Sequence, residues 1–195
     1  MFNTQKIHIF FSWFVIHYHE MIPLIPLVHF KHAPDKTYQM SPILYVSSRR
    51  IVWGAQTLWN LNKIFAKFRS KPAIRDLPRL EYLEQSVFRT GNKDIAISAR
   101  IESEAAAPET FPNFQVLNPL LNDDALIDAP GEKYFTATYR IQPHRVQGIE
   151  ATIDVFNIPG MKPGSYCVKS ITRNLLGAFK LDFSWQLHFP KRAKV

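Results

Sequence analysis

The chain is 195 residues long, 46% apolar and 13% aromatic, enough for one domain with a real core and too apolar for general disorder. Its single cysteine, Cys167, excludes an internal disulfide framework and a cysteine-built zinc site. The net charge is +8, and nearly all of it lies in residues 49–79, where eight cations stand against Asp76 alone. Such a stretch suits an anionic surface, a carboxylate substrate or plain solvation, because charge balance speaks to association rather than to fold.

Residues 7–30 are the most apolar part of the chain. A membrane span needs about 20 apolar residues in a row; here His17, His19 and Glu20 interrupt the run, and Pro23 and Pro26 break any helix. A signal peptide would use Lys6 and residues 10–16, but no small-residue cleavage pattern follows. A cytoplasmic location is expected. His17 and His19 share one strand face, yet no third ligand has suitable spacing, so no metal is expected.

Strand signals dominate the rest. Residues 42–47 are β-branched and aromatic. Residues 82–89 and 94–102, joined across Thr90-Gly91-Asn92-Lys93, read as a hairpin with Ile95, Ile97, Ala99 and Ile101 on one face. Phe135, Ala137, Tyr139 and Ile141 alternate, as do Ile149, Ala151, Ile153 and Val155. The clearest case is Phe179, Leu181, Phe183, Trp185, Leu187 and Phe189, a half-buried antiparallel strand ended by Pro190. Turns are expected at Ala129-Pro130-Gly131 and across residues 158–164.

One helix is predicted, from about Ser48 to Trp59, with Ser47 or Ser48 as cap and an apolar face of Val52, Ala55, Leu58 and Trp59. Residues 104–130 read as a long loop with at most one helical turn. The predicted class is mainly β (α+β): an antiparallel sheet folded over on itself as a closed or nearly closed barrel, with one short helix. A sandwich is the competing arrangement, and periodicity does not separate the two.

No phosphate-binding glycine loop, nucleophile elbow or metal-ligand cluster is present. The pairs Asp123-Asp124 and Glu102/Glu104 read as solvated positions. What remains is Tyr45-Val46-Ser47-Ser48, then RRIVWGAQTLW, then Asn60-Leu61-Asn62-Lys63-Ile64-Phe65-Ala66-Lys67-Phe68. This stretch resembles the acetoacetate decarboxylase family, whose members carry a Tyr-Val-(Ser/Asp)-Ser strand end, a short helix, an aromatic-Gly-x-Pro-Lys turn and a Leu-Ala-x-Phe-like strand. Aligned without a gap, Trp59 falls on the aromatic, Asn60 on the Gly and Asn62 on the Pro. Lys63 falls on the Schiff-base lysine. Upstream, Tyr18-His19-Glu20-Met21 is similar to the family's Pro-Tyr-x-Glu-Leu segment, whose glutamate lies in the active site.

The resemblance covers roughly residues 18–70 and departs from the pattern in places. Ile64 stands where bacterial members have a second lysine, and the family's N-terminal portion has no counterpart. Residues 1–17 match nothing in the family and are expected to stand apart from a β domain at 18–190, followed by a basic tail at 191–195. The resemblance implies a lysine that forms an imine with a small oxo acid and serves as electron sink for decarboxylation or related carbon–carbon chemistry. A lysine attacks a ketone only as the neutral amine, a form that burial and a nearby cation both favour.

By this resemblance the catalytic residues are Lys63 and Glu20, and Trp59, Tyr18 and Lys67 bind substrate; no cofactor is implied. Two alternatives stand beside it. One is a catalytically inactive member that binds a small hydrophobic or acidic ligand in the barrel. The other is an anion-binding surface at residues 49–79, which predicts steep salt dependence. A homo-oligomer is compatible, whereas nucleic-acid and membrane partners are not expected.

Overall fold

The computed structural model describes residues 2–9, 14–31, 33–41, 43–59, 61–71, 82–122, 124–129, 133–158, 161–169, 178–188 and 191–192. The first half holds β1 (Phe2–Ile9), β2 (Phe14–Met21), β3 (Ile25–Phe30), β4 (Ala33–Met40), β5 (Leu44–Val46) and helix α1 (Arg49–Trp59). Then come β6 (Lys63–Phe65), β7 (Lys67–Lys71), β8 (Tyr82–Arg89) and β9 (Asn92–Ile101). The second half holds α2 (Pro112–Leu121), β10 (Ala125–Ala129), β11 (Lys133–Ala137), β12 (Tyr139–Val155), β13 (Gly164–Lys169), β14 (Ala178–Leu187) and β15 (Lys191–Arg192). Asn60, Arg75, Arg79, the Trp59 side chain and the turn residues Pro130, Gly131, Pro159 and Gly160 lie outside the described residues.

The class is mainly β, as expected, but the strands form three sheets, none of them closed into a barrel among the described residues. The first sheet has the order β1-β2-β5-β6, the second β15-β11-β10-β4-β3. The third runs β13-β12-β9-β8-β7, with β14 also on β12. β13 and β14 pair with consecutive stretches of β12, 150–155 and 139–149, in the same direction, so together they form one long edge. Two pairs are parallel, β5 with β6 and β4 with β10.

The hairpin of β8 and β9 forms as its alternation requires. Thr90 and Gly91 close it with φ of 48° and 92°, the left-handed pair that matches strand twist in a two-residue turn. β14 also alternates as read: Phe179, Leu181, Phe183 and Trp185 are half-buried, and the residues between them are exposed. β1, from the segment expected to stand apart, pairs antiparallel with β2 from Phe2↔Met21 to Ile9↔Phe14. Lys191 and Arg192, read as tail, pair with β11.

Three expectations need correction. A second helix, α2, replaces the predicted loop: Pro112 fits its first turn, and Phe114, fully buried, packs edge-on against Phe179 at 5.5 Å. Residues 139–155 form one strand, in which a register shift between Pro143 and Arg145 absorbs the proline. The apolar face assigned to α1 holds only in part, because Ala55 is buried while Leu58 is 57% exposed.

The main core lies between the first and third sheets. Met21, Ile43, Tyr45 and Ala66 meet Val87, Ile95, Val155 and Ile158 there, with Ile64 and Phe68 packed alongside. Burying a side chain such as Val87 or Val155 contributes about 1.5–3 kcal/mol. Among the described residues no helix is long and apolar enough to cross a membrane.

Candidate functional site

β5, α1 and β6 form a crossover unit, the connection that a parallel strand pair demands. Ser48 opens the helix, accepting at its carbonyl from the Val52 N–H at 3.1 Å and, more weakly, at Oγ from the Ile51 N–H at 3.5 Å. Arg49 and Arg50 fill the first turn with no acidic residue beside them, an arrangement the helix dipole disfavours by about 0.3–1 kcal/mol per charge.

Register then decides which side chains meet. Glu20 on β2 lies opposite Val46 on β5, and Leu44 lies beside Lys63 on β6. Side chains two apart on a strand share a face. Tyr18, Glu20, Val46, Leu44 and Lys63 therefore share one face of the first sheet, and Met21, Tyr45 and Ile64 the other, toward the core. Phe65 lies on the Lys63 face, and the Arg49 guanidinium sits 4.9 Å from its ring centroid, which puts α1 over that face.

On this face the Lys63 Nζ donates to Glu20 Oε1 at 2.5 Å, with side-chain exposures of 6% and 2%. The Tyr18 ring centroid is 5.9 Å from the same Nζ, and Leu44 and Val46 are buried beneath the pair. The backbone holds both partners in place. The His19 N–H donates to Ser47 Oγ at 2.8 Å and the Ser47 N–H to the His19 carbonyl at 3.0 Å, tying β2 to β5. Gln56 Nε2, from α1, donates to the Lys63 carbonyl at 2.8 Å, and the Leu44 N–H to the Asn62 carbonyl at 3.0 Å.

The expected site residues thus separate into groups. Glu20, Lys63 and Tyr18 come together, although Glu20 and Lys63 are 43 positions apart in the sequence. Lys67 does not join them; it is exposed on β7 and supplies no buried cation. Trp59 closes α1, with its side chain outside the described residues. Ile64, at the position of the family's second lysine, packs into the core. Sequence reading missed Gln56, and it named Ser47 as a helix cap and in the strand-end motif without its bonds to His19; these bonds join separate elements and leave no local pattern. His19 stacks on Phe68 at 5.8 Å, while His17 is exposed. No group of three metal-ligating side chains occurs among the described residues.

Behind β5 lies a second polar cluster. Asp94 is fully buried, its Oδ2 3.0 Å from Arg89 Nε, though neither carboxylate oxygen receives an aligned hydrogen bond. The Tyr45 hydroxyl is buried near it, also without an aligned partner. Burial, and then the Asp94 carboxylate beside it, hold the phenol well above its usual value. Folding therefore favours protonated Tyr45. That contribution is complete below about pH 10, where an unfolded tyrosine titrates, and is lost as pH rises beyond it. Urea titrations from about pH 8 to 11 are expected to show a steeper alkaline loss in the wild-type chain than in Tyr45→Phe. Equal slopes would contradict this assignment.

No protein-family profile matches the chain, and no curated protein matches it. Solved structures do. The fold superimposes on acetoacetate decarboxylase from Legionella pneumophila with a TM-score of 0.64 at 9% identity, covering 91% of this chain and 67% of that one. For the enduracididine biosynthesis enzyme MppR the TM-score is 0.60 at 11% identity, covering 90% and 64%. An acetoacetate decarboxylase-like enzyme from Sphingomonas wittichii RW1 gives 0.59 at 9%, covering 91% and 69%. MppR has also been solved with pyruvate. The chain therefore has the acetoacetate decarboxylase-like fold, and spans about two thirds of the length of these structures.

Proposed function

We propose that the chain is an acetoacetate decarboxylase-like protein in which Lys63 forms an imine with a small oxo acid and Glu20 moves the protons. The observation that carries this reading is the buried Lys63–Glu20 pair, 2.5 Å apart, in a fold shared with enzymes of that kind. A lysine and a glutamate are expensive to bury, and their joint burial singles out this pair for function.

Glu20 accepts the ammonium proton, and the freed Lys63 amine attacks the substrate carbonyl carbon. Glu20 returns its proton to the departing hydroxyl, and loss of water leaves an iminium and a free carboxylate. From a 3-oxo acid, the electrons of the bond to the carboxylate carbon flow into the iminium and release CO2 as an enamine forms. From a 2-oxo acid such as pyruvate, the α-proton leaves instead, and Glu20 is the group that receives it. Protonation of the enamine carbon and hydrolysis then free the amine.

The second reading, a catalytically inactive member that binds a small hydrophobic or acidic ligand, draws support from the same ion pair. Lys63 Nζ is already engaged by the Glu20 carboxylate, and a lysine held in an ion pair is no nucleophile. Exchange of pyruvate methyl protons in D2O, followed by NMR, separates the two. Exchange is expected with the wild-type chain, with about a hundredfold less in Lys63→Met and about tenfold less in Glu20→Gln. Folded wild-type protein exchanging no faster than Lys63→Met would overturn the catalytic reading.

A further inference from the structure

α1 exposes more than its packing requires. Trp53 is 70% exposed and Leu58 57%, while Arg49 and Arg50 are exposed in the first turn, where the helix dipole disfavours them. Arg49 bridges the helix to Phe65, which is 37% exposed. Phe65 begins a stripe in which Phe65, Lys67 and Arg69 are exposed and the residues between them are buried or half-buried. Trp53 lies one helical turn from Arg49, Arg49 lies on Phe65, and the exposed Lys67 and Arg69 follow Phe65 along the chain. Residues 49–71 contain no acidic side chain.

We propose that this surface docks on an anionic lipid bilayer, with Trp53 at the headgroup boundary and Arg49, Arg50, Lys67 and Arg69 meeting the acidic headgroups. An exposed tryptophan among cations is the composition of an interfacial contact, which needs no span. This departs from the expectation of no membrane partner and takes up the alternative of an anion-binding surface at residues 49–79. Nucleic acid fits less well, because a run of stacked bases needs several open ring faces and Trp53 offers one. Phe65 already carries Arg49, and Phe88 carries Arg69 at 4.8 Å and Lys93 at 5.9 Å. A second copy of the chain fits worst, since a two-fold contact would set these cations against their own copies.

The test is cosedimentation of the chain with vesicles of phosphatidylcholine alone, or with about a third phosphatidylserine, at about 0.1 M and about 0.5 M NaCl. Binding at least about tenfold tighter to the acidic vesicles, and lost at the higher salt, is expected. Arg49→Glu/Arg50→Glu is expected to weaken it about 25-fold or more, from about fivefold per cation. Lys67→Glu/Arg69→Glu is expected to do the same, so misfolding of either double variant leaves the other to decide. Trp53→Gln is expected to lower affinity without changing the salt dependence, and Arg145→Glu, an exposed cation on β12, to change nothing. Equal binding to both vesicle types, or none, would overturn the proposal. So would preferential binding of poly(U) RNA, or a dimer whose formation requires Trp53.

Discussion

Replacing Lys63 by Met while Glu20 remains is expected to cost about 3–5 kcal/mol, read as a lower midpoint in urea. The cause is the charge left behind. The Glu20 side chain is 2% exposed, and its Oε1 has the Lys63 ammonium at 2.5 Å. Without that ammonium the carboxylate loses this buried ion pair, on a sheet face where Leu44, Val46 and Tyr18 are also buried. The double variant Lys63→Met/Glu20→Leu removes both charges and fills the space with apolar atoms. It is expected to return to within about 1–2 kcal/mol of the wild type, since apolar replacements of buried ion pairs are often neutral or stabilising. A loss below about 1 kcal/mol in Lys63→Met would mean that water or another group reaches Glu20. Activity is expected to separate from stability here: the double variant folds and does not form the imine.

Arg89→Met is expected to cost a similar amount, about 3–5 kcal/mol, for the same physical reason at a different place. Asp94 is fully buried, and the Arg89 Nε 3.0 Å away is its cation among the ion pairs of the described residues. Asp94 also binds the chain through its backbone, since its carbonyl accepts from the Phe156 and Asn157 N–H groups at 2.9 and 3.1 Å. Arg89 Nη2 reaches the Asn157 carbonyl at 3.5 Å. The cluster ties the β8–β9 hairpin to the end of β12, so amide exchange at Phe156 and Asn157 should accelerate in the variant. Adding Asp94→Asn removes the stranded charge and is expected to recover part of the loss. A midpoint unchanged by Arg89→Met would show that Asp94 does not depend on this cation.

The parts of the fold that were legible are those with local signals. Strict alternation marked β9 and β14, and Thr90-Gly91 marked the hairpin, because the two-residue period and the left-handed turn are properties of neighbouring residues. α2 was hidden by its prolines: Pro112 sits where a helix tolerates it, and the burial of Phe114 against Phe179 belongs to the tertiary structure. Pro143 hid the continuity of β12 in the same way, since the register shift that accommodates it depends on β14. The three separate sheets follow from pairings such as β4 with β10, more than eighty residues apart, which no local period reports.

The site was legible only through resemblance. Nothing in the spacing of Glu20 and Lys63 states that β5 will lie between their strands and bring them to one face. The resemblance supplied the pair and also the weaker expectation for Lys67. Between the strand of Lys63 and that of Lys67 stands Ala66, which is buried at the junction where the chain leaves the first sheet for the third. That change of sheet turns a lysine four residues away from the buried face toward solvent. Leu58 shows the converse case, since it was assigned to the inward face of a short helix with Val52 and Ala55, and it is exposed while Ala55 is buried. Amphipathic spacing locates an apolar stripe without saying what covers it.

The most direct measurement is borohydride reduction of the chain with pyruvate, followed by peptide mass spectrometry at several pH values from about 5 to 9. A buried lysine with its own proton acceptor is expected to give an adduct confined to the peptide containing Lys63, absent in Lys63→Met and diminished in Glu20→Gln. An adduct spread over exposed lysines such as Lys67 and Lys93, or none on folded protein, would contradict an imine-forming site at Lys63.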